Sequence, residues 1–110
     1  MKDDVLIKQR LGYARERAGI SQRILGLKMG LEPSGASIRI NRYENGKRTP
    51  AFSLVKDMAK VLNVPVSFFY EPDSTIARII MAVGSMDEEK RTSLLLQIEK
   101  EGGNQVSDIT

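Results

Sequence analysis

The chain has no cysteine, no histidine and no tryptophan. The first two absences exclude thiol nucleophiles, disulfides, Cys/His zinc sites and the commonest general base at neutral pH. Only three Tyr and three Phe are present, which counts against a single-strand binder that stacks bases on aromatic platforms. No apolar run approaches the ~18 residues of a membrane span, and Met1-Lys2-Asp3-Asp4 does not have the form of a secretion signal. A soluble, cytoplasmic chain is expected. No Gly-rich phosphate loop, nucleophile–base pair or carboxylate cluster with ligand spacing occurs, so no catalytic residue, metal ligand or cofactor is assigned and an enzyme is not expected.

What is present is 110 residues of ordinary globular composition, 41% hydrophobic and 28% charged. That length is one domain, able to bury roughly two-thirds of its unfolded surface without disulfide or metal. The net charge of +3 hides an asymmetry. Residues 1–70 hold 13 Lys/Arg against 6 Asp/Glu, or +7, and residues 71–110 hold 4 against 8, or −4. A basic body suits a polyanionic partner and an acidic end suits another task, such as holding a protein partner.

Periodicity and punctuation predict an all-α chain. Ile7, Leu11, Ala14 and Ala18 share a helix face, and Gly19 ends that helix. Ser21 caps a short helix from Gln22 to Met29, and Glu32-Pro33-Ser34-Gly35 is a turn. A third helix starts between Ser34 and Ala36 and runs to Glu44, burying Ile40 and Tyr43, with Asn45-Gly46 as its stop. Lys47-Arg48-Thr49-Pro50 is a basic loop. Ser53 is expected to cap a fourth helix with Leu54, Met58, Ala59 and Leu62 or Val61 inward, closed by Asn63 and Pro65. Val66–Tyr70 forms a short apolar helical turn, and Glu71-Pro72-Asp73 marks a boundary after a closed core. Beyond it, Ile76, Ile79, Ile80 and Val83 give a fifth long helix. Ser85-Met86-Asp87-Glu88 reads as an S-x-x-E capping box for a last helix through Leu94, Leu95 and Ile98, ended by Gly102-Gly103. The expected organisation is 1–72, a helical segment 73–101, and a flexible tail 102–110.

Three ordered stretches now carry a family signature. They are Ala14-Arg15-Glu16 with Gly19-Ile20-Ser21-Gln22 and Leu25, then Arg42-Tyr43-Glu44-Asn45-Gly46-Lys47-Arg48-Thr49-Pro50, then Ala59-Lys60-Val61-Leu62-Asn63-Val64-Pro65-Val66. Together they resemble the lambda-repressor-like (Xre/Cro) helix-turn-helix family, over about Val5 to Tyr70. The resemblance implies a five-helix domain whose third helix enters the DNA major groove, about 12 Å wide, while the second crosses the backbone. It places phosphate contact and bracing on Gln22. Counting back from Glu44, it places base reading on Ser37, Ile38 and Arg42. Arg39 and Asn41 share the exposed face and read a base or a phosphate, and Asn45, Lys47 and Arg48 grip phosphates. It also implies a structural ion pair between Arg15 and Glu44.

Two departures from the family pattern stand out. Gly26 takes the place of the usual Ala in S-Q-x-x-L-A, which weakens a helix by ~1 kcal/mol. Thirteen residues separate Gly30 from Glu44, several more than in short members, so the added segment lengthens the turn or extends the third helix. Residues 74–101 lie outside the resemblance. Their Ile76, Ile79, Ile80 and Val83 stripe either folds back or joins two chains, and dimerisation is the expectation because operators of this family are near-palindromes. The function implied is a double-stranded DNA-binding regulator of bacterial or phage repressor type. An antitoxin holding a protein through the acidic end, and an interaction adaptor that has lost DNA binding, are the alternatives. The basic recognition surface argues against the adaptor.

Overall fold

The structure, a computed structural model, describes residues 3–102. Six helices follow one another: α1 (Asp3–Ala18), α2 (Gln22–Lys28), α3 (Ala36–Glu44), α4 (Phe52–Leu62), α5 (Ser74–Gly84) and α6 (Glu88–Gly102). A 3₁₀ turn at Val66–Tyr70 sits between α4 and α5. No strand occurs among the described residues, and none of their helices is long and apolar enough to cross a membrane. Of the expected tail 102–110, Gly102 is the last residue of α6, and 103–110, Gly103 among them, lie outside the described residues.

The core forms where the apolar faces of α1, α2, α3 and α4 meet the 3₁₀ turn. Ile7, Leu11, Leu25, Ile40, Val55, Met58, Phe68 and Phe69 are its largest fully covered side chains. Phe68 and Phe69 meet edge to face with centroids 5.5 Å apart, the favoured arrangement for two ring quadrupoles. Every buried side-chain nitrogen and oxygen among the described residues has a hydrogen-bond partner.

Four expectations are corrected. Ala18 continues the α1 repeat but is exposed, because the last turn of α1 runs past the core. Helix α4 starts at Phe52, with Ala51 at the cap position and no side-chain cap, so Ser53 lies inside the first turn. At α6 the cap is Asp87, whose Oδ1 accepts from the Lys90 N–H at 2.8 Å. Ser85 instead ends α5, its hydroxyl donating to the Ala82 carbonyl at 2.8 Å. The core also does not close at Pro72. Ala77 and Met81 of α5 are buried in it, and Ile80 packs alongside, so α5 lies back over the 3₁₀ turn. Ile76 and Ile79 face outward, 47% and 53% exposed, while Val83 is half-buried. Helix α6 buries no residue.

The fold holds α5 through Arg10. Its guanidinium donates to the Glu71 carbonyl at 3.2 and 2.8 Å and to that of Pro72 at 3.3 Å, and lies 5.9 Å from the Phe68 ring centroid. Sequence reading passed over Arg10. An exposed-looking arginine on a helix carries no mark of a partner 61 positions away.

Candidate nucleic-acid interface

Ser21 builds the entrance to α2: its hydroxyl accepts the Ile24 N–H at 3.0 Å, as the sequence predicts. The chain then turns through Leu31–Gly35 and enters α3 at Ala36. The added segment therefore lengthens the turn and does not extend α3. Leu31 anchors it against the core, its N–H donating to the Gly26 carbonyl at 3.0 Å, and Gly35 donates to Glu32 at 3.1 Å. Gly26 lies against Ala36 at the start of α3, which explains the departure from alanine: a methyl group there has no space.

At 100° per residue the nine residues of α3 divide into faces. Ala36, Ile40 and Tyr43 point into the protein and are buried. Opposite them stand Ile38, Asn41 and Arg42, continued by Asn45, all exposed. Ser37 and Arg39 occupy the two flanks. Arg39 is drawn back along its own helix, donating to the Tyr43 hydroxyl at 3.1 Å. Ile38 is 55% exposed, a large apolar side chain held in water.

Helix α3 ends in a Schellman arrangement. The Gly46 N–H donates to the Tyr43 carbonyl at 3.2 Å and the Lys47 N–H to that of Arg42 at 2.9 Å. This requires the left-handed backbone of Gly46, whose φ is 72°. Lys47 and Arg48 are thereby set beside the end of α3, both exposed. The aliphatic stem of Lys8, from α1, approaches Gly46 and brings a third cation to this loop. Sequence reading missed Lys8 because only the fold brings α1 to Gly46.

The single carboxylate on α3, Glu44, is consumed internally. Arg15 reaches it with Nε at 2.5 Å and a second guanidinium nitrogen at 3.1 Å, and also donates to the Ile20 carbonyl at 2.8 Å. The two side chains are only 15% and 11% exposed. The hydrogen bond that Arg15 donates to Glu44 is the main cause that raises the Arg15 pKa above its ordinary value, against a smaller lowering by burial. Gln22 joins this pair, donating from Nε2 to Glu44 at 3.2 Å. Asn41 Nδ2 lies 3.5 Å from Gln22 Oε1, and Asn45 donates to Asn41 Oδ1 at 2.8 Å. Five polar residues from α1, α2, α3 and the following loop thus form one chain, from the half-buried ion pair to the exposed face.

The assigned residues therefore gather on one side of the molecule. Ser37, Ile38, Asn41, Arg42, Asn45, Lys47 and Arg48 share it, Gln22 borders it, and Arg39 sits at its edge. Ile76, Ile79, Ile80 and Val83 belong to α5 and to another surface. Among the described residues no group of three or more His, Cys, Asp or Glu is placed to hold a metal ion.

A seven-residue helix, a turn, and a second helix seated on the first with its polar face outward define a helix-turn-helix unit. The chain belongs to the helix-turn-helix family of lambda-repressor-like (Xre-type) transcriptional regulators, whose pattern matches residues 11–69. It is 34% identical over 68 residues to an HTH-type transcriptional regulator of Sinorhizobium medicae (strain WSM419), covering 62% of this chain and 46% of that protein. The same figures hold for one of Rhizobium meliloti (strain 1021). The chain thus spans about half the length of these curated relatives. Among solved structures, the crystal structure of transcriptional regulator BswR matches with a TM-score of 0.79 and 36% identity, over 84% of this chain and 92% of that chain.

Proposed function

We propose that this protein binds double-stranded DNA sequence-specifically and represses transcription as a dimer on a near-palindromic operator. The observation that carries the reading is the outward face of α3. It presents Ile38, Asn41 and Arg42 beside Lys8, Lys47 and Arg48, while its one carboxylate is paired inward with Arg15. Arg42 offers the fork that suits guanine O6 and N7, Asn41 an amide that suits adenine, and Ile38 an apolar surface for a thymine methyl. Ser37 adds a hydroxyl at the flank. Lys47, Arg48 and Asn45 meet phosphates, which position the helix without reading sequence.

Gln22 acts at the border, bracing Asn41 from α2 while its own amide is held by Glu44. A face preorganised in this way loses less side-chain freedom on binding. Repression then needs no cofactor, since a dimer seated on a promoter occludes it in the cytoplasm. Pairing is assigned to α5, with Ile76 and Ile79 outward and Ile80 and Val83 at the edge. The antitoxin reading shares this DNA face and differs only in giving the acidic end to a protein partner.

Selection of bound sites from random duplex DNA by the full chain tests the proposal. An inverted repeat with half-sites one helical turn apart, or a multiple of it, is expected. Absence of any enriched sequence would overturn it.

A further inference from the structure

Two surfaces outside the α3 face are left open to solvent by the other described residues, and each has what the other needs. Helix α6 is 15 residues long and buries none of them. A helix of that length is marginal in water when nothing covers it. Leu95, Leu96 and Ile98 are 42%, 61% and 54% exposed, and Leu95 and Ile98 lie on adjacent turns of one stripe. Glu101 flanks that stripe, and with Asp87, Glu88, Glu89 and Glu99 the helix and its cap carry five carboxylates against Lys90, Arg91 and Lys100.

The complementary surface is a groove of about 320 Å³ between α1 and α5. Its floor and walls include Tyr13, Ile79 and Met81, and its rim holds Arg17 and Arg78. No carboxylate lines it, and neither arginine meets one among the described residues. An apolar trough edged by guanidinium groups therefore faces solvent, while an apolar stripe edged by carboxylates projects elsewhere on the same molecule.

In its own chain α6 contributes no residue to this groove. Gly84 packs so closely on Pro65 that a Cβ would lie 2.4 Å from the ring. Ser85 is tied to Ala82, and Arg91 donates to the Met86 carbonyl.

We infer that α6 of one copy docks its Leu95–Ile98 stripe in the α1–α5 groove of a second copy, with the reciprocal contact closing a two-fold dimer. The arrangement rests on the dimer reading above and supplies its counterpart surface: Ile79 meets the partner helix, and Arg17 and Arg78 meet its carboxylates. A two-fold exchange satisfies both surfaces and leaves no open end for further growth. Both contacts are absent from a monomer, so association and the ordering of α6 are coupled.

The natural absence of cysteine makes a clean test. Full-length Ile79→Cys chains are mixed with full-length Leu95→Cys chains of distinguishable mass and gently oxidised, with Ile98→Cys as a second reporter. A disulfide forms only where the Cα atoms come within roughly 7 Å. The mixed Ile79–Leu95 or Ile79–Ile98 product is expected to predominate. In sedimentation, the doubly substituted Leu95→Asp, Ile98→Asp chain, its helix content checked by circular dichroism, should dimerise about thirtyfold more weakly or worse. Dimers that yield only like-with-like disulfides would overturn the docking while leaving the dimer intact. A monomeric full-length chain, whether or not an Ile79→Cys, Leu95→Cys double variant closes within itself, would overturn both.

Discussion

Gly26 and Ala36 approach so closely that no side chain fits between them: a Cβ on Gly26 would lie 2.8 Å from that of Ala36 and 3.0 Å from its carbonyl oxygen. This contact seats the start of α3 on α2. In an open helix Gly→Ala stabilises by up to ~1 kcal/mol, yet overpacking a close contact costs about 1–3 kcal/mol. Gly26→Ala should therefore destabilise in urea unfolding, and adding Ala36→Gly should recover part of the loss. A more stable single variant would contradict the contact.

Arg15→Ala leaves the Glu44 carboxylate, 11% exposed, with Gln22 as its remaining side-chain partner. Losing the charged partner of so covered a group should cost about 1–3 kcal/mol in denaturant unfolding. The pH sign follows from the raised Arg15 pKa. A group raised in the folded state contributes fully below its unfolded value and loses that contribution only as pH rises through the folded one. For a guanidinium this lies in strong alkali, so melting between about pH 7 and 10 should show no step from this residue.

Readers and grips differ in a measurable way. Arg42→Ala should cost ~1–3 kcal/mol on the best site and relax preference at one base pair. Lys47→Ala should weaken all duplexes alike and reduce the salt slope by about one. Equal losses across sequences in both variants would remove Arg42 from the reading set.

Truncation at Asp73 probes α5. Removing the buried Ala77 and Met81 uncovers Phe68 and Phe69, at a cost of at least about 2 kcal/mol. For a domain of this size that is a fall in Tm of roughly 8–16 °C. An unchanged Tm would mean that α5 contributes little to the core.

Much of this was legible in the chain itself. Local rules placed Ser21 at its cap, Ile40 and Tyr43 in the core and Gly46 at the stop of α3, because each depends on neighbours within a turn of helix. The family resemblance brought Arg15 to Glu44, 29 positions apart. What escaped depends on tertiary reach. Arg10 shows no sign of Glu71 in its own helix, and Lys8 none of Gly46. Ser85 satisfied the capping-box rule before α6, yet the helix starts at Glu88 and Asp87 takes the cap. The spacing of Ile76, Ile79, Ile80 and Val83 gave a helix correctly but not its inward side, which Ala77 and Met81 occupy.

The central claim is that the α3 face reads duplex DNA. Its most direct test is a titration of the full-length protein against its best selected duplex and an unrelated one of equal length, between 50 and 200 mM salt. The selected duplex should bind at least ~10³-fold more tightly, and its affinity should fall by ~10³–10⁵ across that range if a dimer neutralises on the order of 6–10 phosphates. Equal affinity for the two duplexes with a flat salt profile would contradict the account.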